Sequence, residues 1–261
     1  MNEEILVEES QDSSENASSV KCKKQALPPI ELLYKQIFDS FDSKIYGFET
    51  QIRINDKKLG TLSPDLFEPI AERSNQIVEL GKWSFVEMSD MVRRQRAKGR
   101  TIPRMFIPVS MKYFCKKYFI DNLMRQLEKA ELDPSEVCVM LQAKALAERP
   151  AELKEAAALV HEKNVQIAVT GVGSDGLSLS YLDELPIDYL RFDAEFVQQL
   201  VGSERAKDIA NSFSELATKL GAQLMAEGAD DKEQIAALQA IGCSLMQGAF
   251  YGDFERESRL F

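Results

Sequence analysis

The chain has 261 residues, 44% of them hydrophobic, and a formal net charge of -10. That is enough apolar material for one large core or two small ones, and so acidic a chain is a poor partner for a nucleic-acid backbone. No apolar stretch reaches the length of a membrane-crossing helix, and the N-terminus, MNEEILVEESQDSSENASS, is too acidic for a secretory signal. Cys22, Cys115, Cys138 and Cys243 are widely spaced and form no C-x-x-C pair, and His161 is the single histidine. Neither a zinc site nor a disulfide framework is expected, which points to a cytoplasmic chain with free thiols. His161, in VHEKN, falls at an expected helix end with no partner suggested.

In chain order, residues 1–27 are rich in Glu, Ser, Asn and Lys and read as a disordered tail, closed by Pro28-Pro29. Residues 28–261 read as one globular domain. Two strand-like runs come first, ELLYKQIF (31–38) and YGFETQIRI (46–54). Their link, FDSFDSKI, is too short for a crossover helix, so at least one strand is antiparallel to its neighbour. Two helical patterns follow, near 64–80 and 82–96. The second ends in the basic run Arg93-Arg94-Gln95-Arg96-Ala97-Lys98-Gly99-Arg100. Without aromatic interleaving this reads as a solvated helix end and loop, not a nucleic-acid patch.

Six apolar runs then alternate with helical patterns: FIPVS (106–110), VCVML (137–141), QIAVT (166–170), DYLRFD (188–193), AQLMAE (222–227) and SLMQGAF (244–250). One intervening helix shows Ile120, Leu123, Met124 and Leu127 on one face; another shows Ile209, Phe213, Leu216 and Leu220. The total of eight strands, most followed by a helix, favours a (β/α)8 barrel over an open doubly wound sheet.

IAVTGVGSDGLSLSYL contains G-x-G-x-x-G at Gly171, Gly173 and Gly176, with Asp193 further on, the outline of a dinucleotide-binding fingerprint. Its position counts against that role. The loop follows the fifth strand rather than the first, and the helix after it, near 177–184, is only about two turns long.

Several stretches together resemble the EAL-domain family, the bacterial cyclic di-GMP phosphodiesterase fold. GFETQIR (47–53) stands where the family has E-A-L-x-R. SPDLFEPIAERSNQIVELGKW (63–83) is similar to its S-P-x-x-F-I-P-x-A-E…L-G-x-W. LSYLDELPIDYLRFDAEFV (179–197) and MAEGADDKEQIAALQAIGCSLMQGAFYG (225–252) resemble its L-P-V-D-x-L-K-I-D and A-E-G…G-C-x-x-x-Q-G segments. The resemblance implies an α/β fold, a modified TIM (β/α)8 barrel with one antiparallel strand, in agreement with the strand count.

It also implies a phosphodiester hydrolase with two Mg²⁺ or Mn²⁺ ions, which clamp the phosphate and activate water. By resemblance, the signature glutamate is Glu49, the phosphate-contacting arginine Arg53, the A-E-G glutamate Glu227, the late glutamine Gln247 and the strand-end aspartate Asp193. The other positions differ. The metal-binding Asn falls on Pro108, the E-x-T-E glutamate on Met140, and the paired aspartates on Thr170 and Gly171. The lysine falls on Arg191, which cannot serve as a base. The Q-P near the first strand falls on Lys35-Gln36.

The expectation is a barrel without its two-metal site, no cofactor and no enzymatic activity. It would serve as a regulatory interaction module for an unidentified regulatory protein in cyclic di-GMP-related signalling, binding neither nucleic acid nor membrane. The alternative is a metal-independent cyclic di-GMP receptor using Lys35, Glu49, Arg53, Arg191, Asp193, Glu227 and Gln247. A third reading, an enzyme with a different metal arrangement, has Asp175 and Asp193 as nearby spare carboxylates. Simple structural roles are also open. Glu49 could pair with Arg53, Arg191 with Glu227 or Asp193, Gln247 could satisfy backbone groups, and Trp83 could pack in the core.

Overall fold

The computed structural model describes residues 30–261, apart from residues 57, 149 and 174–177. The tail expected over residues 1–27 lies outside this range. The chain opens with β1 (Ile30–Asp39) and β2 (Lys44–Asp56), a hairpin whose turn is held by Asp39, which accepts from the amides of Phe41 and Asp42. A third strand, β3 (Gly60–Leu62), precedes α1 (Pro64–Arg73) and α2 (Gln76–Arg96). Then come β4 (Arg104–Pro108), α3 (Met111–Phe114), α4 (Phe119–Ala130), β5 (Val137–Gln142), α5 (Pro150–Glu162) and β6 (Gln166–Val172). The chain continues through α6 (Leu179–Glu184), β7 (Tyr189–Phe192), α7 (Ala194–Leu200), α8 (Glu204–Leu220), β8 (Gln223–Glu227) and α9 (Lys232–Ala240). It closes with β9 (Leu245–Gln247) and α10 (Glu257–Leu260).

Eight strands close a barrel in the order β1-β2-β4-β5-β6-β7-β8-β9. β1 is antiparallel to both its neighbours, β2 and β9, and the other pairings around the ring are parallel. The eight strands are those read from the sequence. β3, which pairs only with the far end of β2, was not among them.

Both faces of β4 to β9 are largely covered, which is why these strands read as near-continuous apolar runs. Inside the barrel lie Ile37, Phe106, Cys138, Met140, Ala168, Tyr189, Met225 and Leu245. The alternate residues, among them Met105, Ile107, Val139, Leu141, Val169, Leu190 and Phe192, face the helices.

Two helix readings are corrected. The break between the first two helices falls at Ser74-Asn75, earlier than the sequence pattern placed it, because Asn75 adopts a left-handed conformation (φ 59°). In α8 the buried row is Ala206, Ala210 and Ala217, while Ile209 and Leu220 lie at the exposed margin. Small side chains let that helix sit close to the barrel. In α4, Leu123 and Leu127 are fully buried, as the spacing predicted.

The basic run is stitched in place. Arg94 pairs with Glu87 (3.0 Å) and Glu257 (2.7 Å), and Arg93 with Asp90. Arg96 pairs with Glu136 and donates to the carbonyls of Ala130 and Glu131, tying the C-terminal ends of α2 and α4 together.

The hairpin has no crossover helix, so the outer faces of β1 and β2 need other cover. The last residues supply part of it, beside α1 and α2. Tyr34 and Glu255 exchange both backbone hydrogen bonds (2.8 and 2.9 Å), the Phe261 ring lies 5.3 Å from Phe48, and Glu257 bonds Arg94 and Gln95.

Candidate functional site at the barrel mouth

The C-terminal ends of the parallel strands define the mouth. β7 presents Arg191 inward, between Thr170 of β6 and Met225 of β8. β8 ends on Glu227 beside Gln247, the last residue of β9, and β2 presents Glu49 opposite Lys35 of β1. These side chains meet. The Arg191 guanidinium donates to Glu49 (2.6 Å) and to the Gln247 side-chain oxygen (3.1 Å), and pairs with Glu227 at 3.1 Å. The Arg191 and Glu49 side chains are only 10% and 8% exposed, against 35% for Glu227. Gln247 is fully buried and its amide also reaches the Lys35 carbonyl (3.5 Å).

Such burial penalises every charge here. Burial raises the Glu49 carboxyl above its ordinary range; Arg191 opposes that shift, Glu227 adds to it, and Lys35 opposes it. Burial works against the Arg191 cation too, but Glu49 and Glu227 outweigh it and hold the guanidinium protonated. Two carboxylates, one guanidinium and the nearby Lys35 ammonium sum to no net charge. Lys35 itself lies 5.5 Å over the Phe254 ring.

The other two expected residues form no ion pair with this cluster among the described residues. Asp193 caps α7, accepting from the Phe196 amide at 3.0 Å. Arg53 is half-buried further along β2, across from Glu31, and makes no ion pair among the described residues. The pairing considered between Glu49 and Arg53 is therefore replaced by one between Glu49 and Arg191, and Arg191 chooses Glu227 over Asp193.

Pro108, Met140 and Thr170 occupy the β4, β5 and β6 positions facing this end, and the Thr170 hydroxyl reaches the Leu141 carbonyl (3.5 Å). Among the described residues, no group of three His, Cys, Asp or Glu side chains is placed to hold a metal ion. Asp175 and Gly176 lie outside the described residues. The other glycines of the G-x-G-x-x-G stretch have structural roles. Gly171, at φ 79°, forms the bulge that shifts β6 register against β7. A Cβ on Gly173 would stand 2.8 Å from the Phe196 ring.

The sequence reading missed a second polar cluster, on the barrel floor. Arg104 at the start of β4 donates to the hydroxyls of Tyr46 and Tyr189, which are 2.7 Å apart. Gln166 accepts from Tyr189, and Gln223 from Tyr46, each at 3.2 Å. The available signal was strand parity: Tyr189 lies two residues before Arg191, so it faces the same interior.

The family model for the EAL domain matches residues 25–253. The chain belongs to the EAL domain family. It is 27% identical over 232 residues to the cyclic di-GMP phosphodiesterase NbdA of Pseudomonas aeruginosa, covering 85% of this chain and 28% of that protein. It is 23% identical over 222 residues to the oxygen sensor protein DosP of Escherichia coli, with the same two coverages, 85% and 28%. The EAL chain thus spans under a third of the length of these two relatives.

Among solved structures, PaMucR phosphodiesterase in its c-di-GMP complex superposes with a TM-score of 0.82 at 22% identity, covering 89% of this chain and 94% of that one. The EAL domain of FimX from Xanthomonas citri, in complex with c-diGMP, superposes with a TM-score of 0.78 at 16% identity, covering 87% and 88%. At these identities the likeness establishes the shared EAL barrel. Among the described residues, no helix is long and apolar enough to cross a membrane.

Proposed function

We propose that this EAL domain does not hydrolyse cyclic di-GMP and serves in the cytoplasm as a regulatory interaction module in cyclic di-GMP-related signalling, engaging a regulatory protein. One observation carries the reading: the Arg191 guanidinium sits between Glu49 and Glu227, the two carboxylates retained at the mouth. A pair of divalent cations needs several converging oxygen ligands free of other cations. Here the acids are committed to an internal cation, and Pro108 and Met140 offer no side-chain oxygen. This donor set does not fit the family's metal pair. The test is hydrolysis of cyclic di-GMP by the purified chain with Mg²⁺ or Mn²⁺. No turnover is expected; turnover that Glu49→Ala abolishes would sink the reading.

A second reading, a metal-independent cyclic di-GMP receptor, is favoured by Arg53, a half-buried guanidinium with no carboxylate paired to it among the described residues. The similar PaMucR and FimX domains were solved with that nucleotide. Calorimetric titration in Mg²⁺ and then in EDTA separates the two. Metal-independent heat that Arg53→Ala removes makes the chain a receptor, and no heat under either condition leaves a nucleotide-independent module.

A further inference from the structure

Residues 253–261 run from the rim of the mouth to the outer wall of the β1–β2 hairpin, and each end has its own hold. Just before them, Tyr251 is fixed to the barrel, its ring stacked 4.6 Å from that of Phe38 and its amide bonded to the Gly248 carbonyl. At the inner end Phe254 is half-buried, and the Lys35 ammonium lies over its ring at 5.5 Å. In the middle, Glu255 is bridged to Tyr34 through the backbone, and Arg256 is paired with Glu31. At the outer end Glu257 accepts from Arg94 at 2.7 Å and from the buried Gln95. Phe261 packs on Phe48 and, with Ile30, Leu32 and Trp83, walls a cleft of about 620 Å³.

Lys35 has two places to go. It stands directly across the strand pair from Glu49, near enough to oppose the rise that burial imposes on that carboxyl. Yet among the described residues it makes no ion pair, and Glu49 is taken by Arg191. A lysine carries its charge on a flexible four-carbon stem, and residues facing each other across paired strands are within reach. The ring face of Phe254 is the contact that holds the ammonium aside. We propose that Phe254 is a positioning residue and that residues 253–261 act as a strap: pinned outside by Glu257 and Phe261, the strap keeps Lys35 on the ring and clear of the Arg191 clamp. With the strap seated, Arg191 keeps both acids, and Lys35 is a cation that the mouth has not committed to its own carboxylates. With the strap released, Lys35 turns to Glu49 and competes with Arg191. A partner carboxylate that takes Arg94 from Glu257 thereby changes the charge presented at the mouth without touching it. The proposal does not depend on nucleotide binding there.

Reductive methylation of the full chain with isotope-labelled formaldehyde gives each lysine a dimethylamino NMR signal, and the signal lost in Lys35→Arg is that of Lys35. The Lys35 signal should lie upfield of the other lysines, displaced by the Phe254 ring current, and return to their range in Phe254→Leu. A Lys35 signal that sits among the others and is unchanged in Phe254→Leu overturns the contact. The coupling is read in two variants that free the outer end by different means: Glu257→Arg, which repels Arg94, and Phe261→Ala, which removes one wall of the cleft. Trp83, the single tryptophan, reports that end through its emission. In both variants the emission should shift to longer wavelength and the Lys35 signal should move downfield with it. A Lys35 signal unmoved in both, whatever Trp83 does, overturns the strap.

Discussion

The barrel holds one arginine at each end of its interior, and the two are treated differently. At the mouth, Arg191 is nine-tenths buried and balanced by Glu49 and Glu227. On the floor, Arg104 is only partly buried and rests on neutral groups, the hydroxyls of Tyr46 and Tyr189, with the Tyr46 ring 5.2 Å from its guanidinium. The contrast teaches how burial decides partners. A deeply buried cation requires carboxylates, whereas one that keeps some solvent can be held by hydroxyl oxygens and ring faces.

Removing each arginine tests this directly. Arg191→Met strands two acids and should cost about 3–5 kcal/mol at neutral pH in urea unfolding. Adding Glu49→Gln to that variant should recover part of the loss, because the remaining carboxylate, Glu227, is the more exposed one. The same variant sets a sign. Burial already raises the Glu49 carboxyl, and without Arg191 the rise is larger. A carboxyl raised in the folded state favours folding at low pH and loses that contribution as pH rises through its folded value. The deficit of Arg191→Met should therefore shrink as pH falls. If it grows, Glu49 is not the stranded charge.

Arg104→Met should cost less, about 1–2 kcal/mol, since Tyr46 and Tyr189 keep their bonds to Gln223 and Gln166. A loss equal to that of Arg191→Met would break the comparison. The rim of the fold answers acid in the opposite sense to the Arg191→Met mouth. Burial works against the Glu257 carboxylate, but Arg94 and Gln95 outweigh it and hold its pKa below the ordinary 4.5. A lowered carboxyl stabilises above its unfolded value and loses that contribution as pH falls through the folded one. Glu257→Gln should flatten the stability profile below about pH 4.5 and cost about 0.5–1 kcal/mol at neutral pH. The smallest effect concerns thiols. Cys138 and Cys243 are fully buried, and burial pushes Cys243 up to about 12. Peptide mapping after maleimide labelling of native protein should find Cys115 modified before either.

Much of the barrel was legible because parallel strands buried on both faces leave unmistakable apolar runs, and because FDSFDSKI is too short for a crossover. The cover over the hairpin was not. DFERESRLF has no helical or alternating period, and its place depends on Tyr34 and Arg94, more than 150 residues upstream. Asn75 ended a helix through a backbone angle that side-chain patterning does not encode. At the mouth, the resemblance supplied Glu49, Arg191, Glu227 and Gln247, and these meet. It could not supply which acid Arg191 takes, because that follows from barrel register. Asp193, read as a ligand residue by resemblance, also caps α7, a role the sequence reading did not assign.

Ile30 and Phe261 line one cleft, so the two ends of the described barrel lie at a single seam. Termini that meet at the surface tolerate being joined. A circular permutant linking them, and reopened in another exposed loop such as the α8–β8 turn at Gly221, should keep every strand pairing of the barrel. Conversely, domains fused before Ile30 and after Phe261 would stand side by side, close enough to report on one another through the barrel's outer wall.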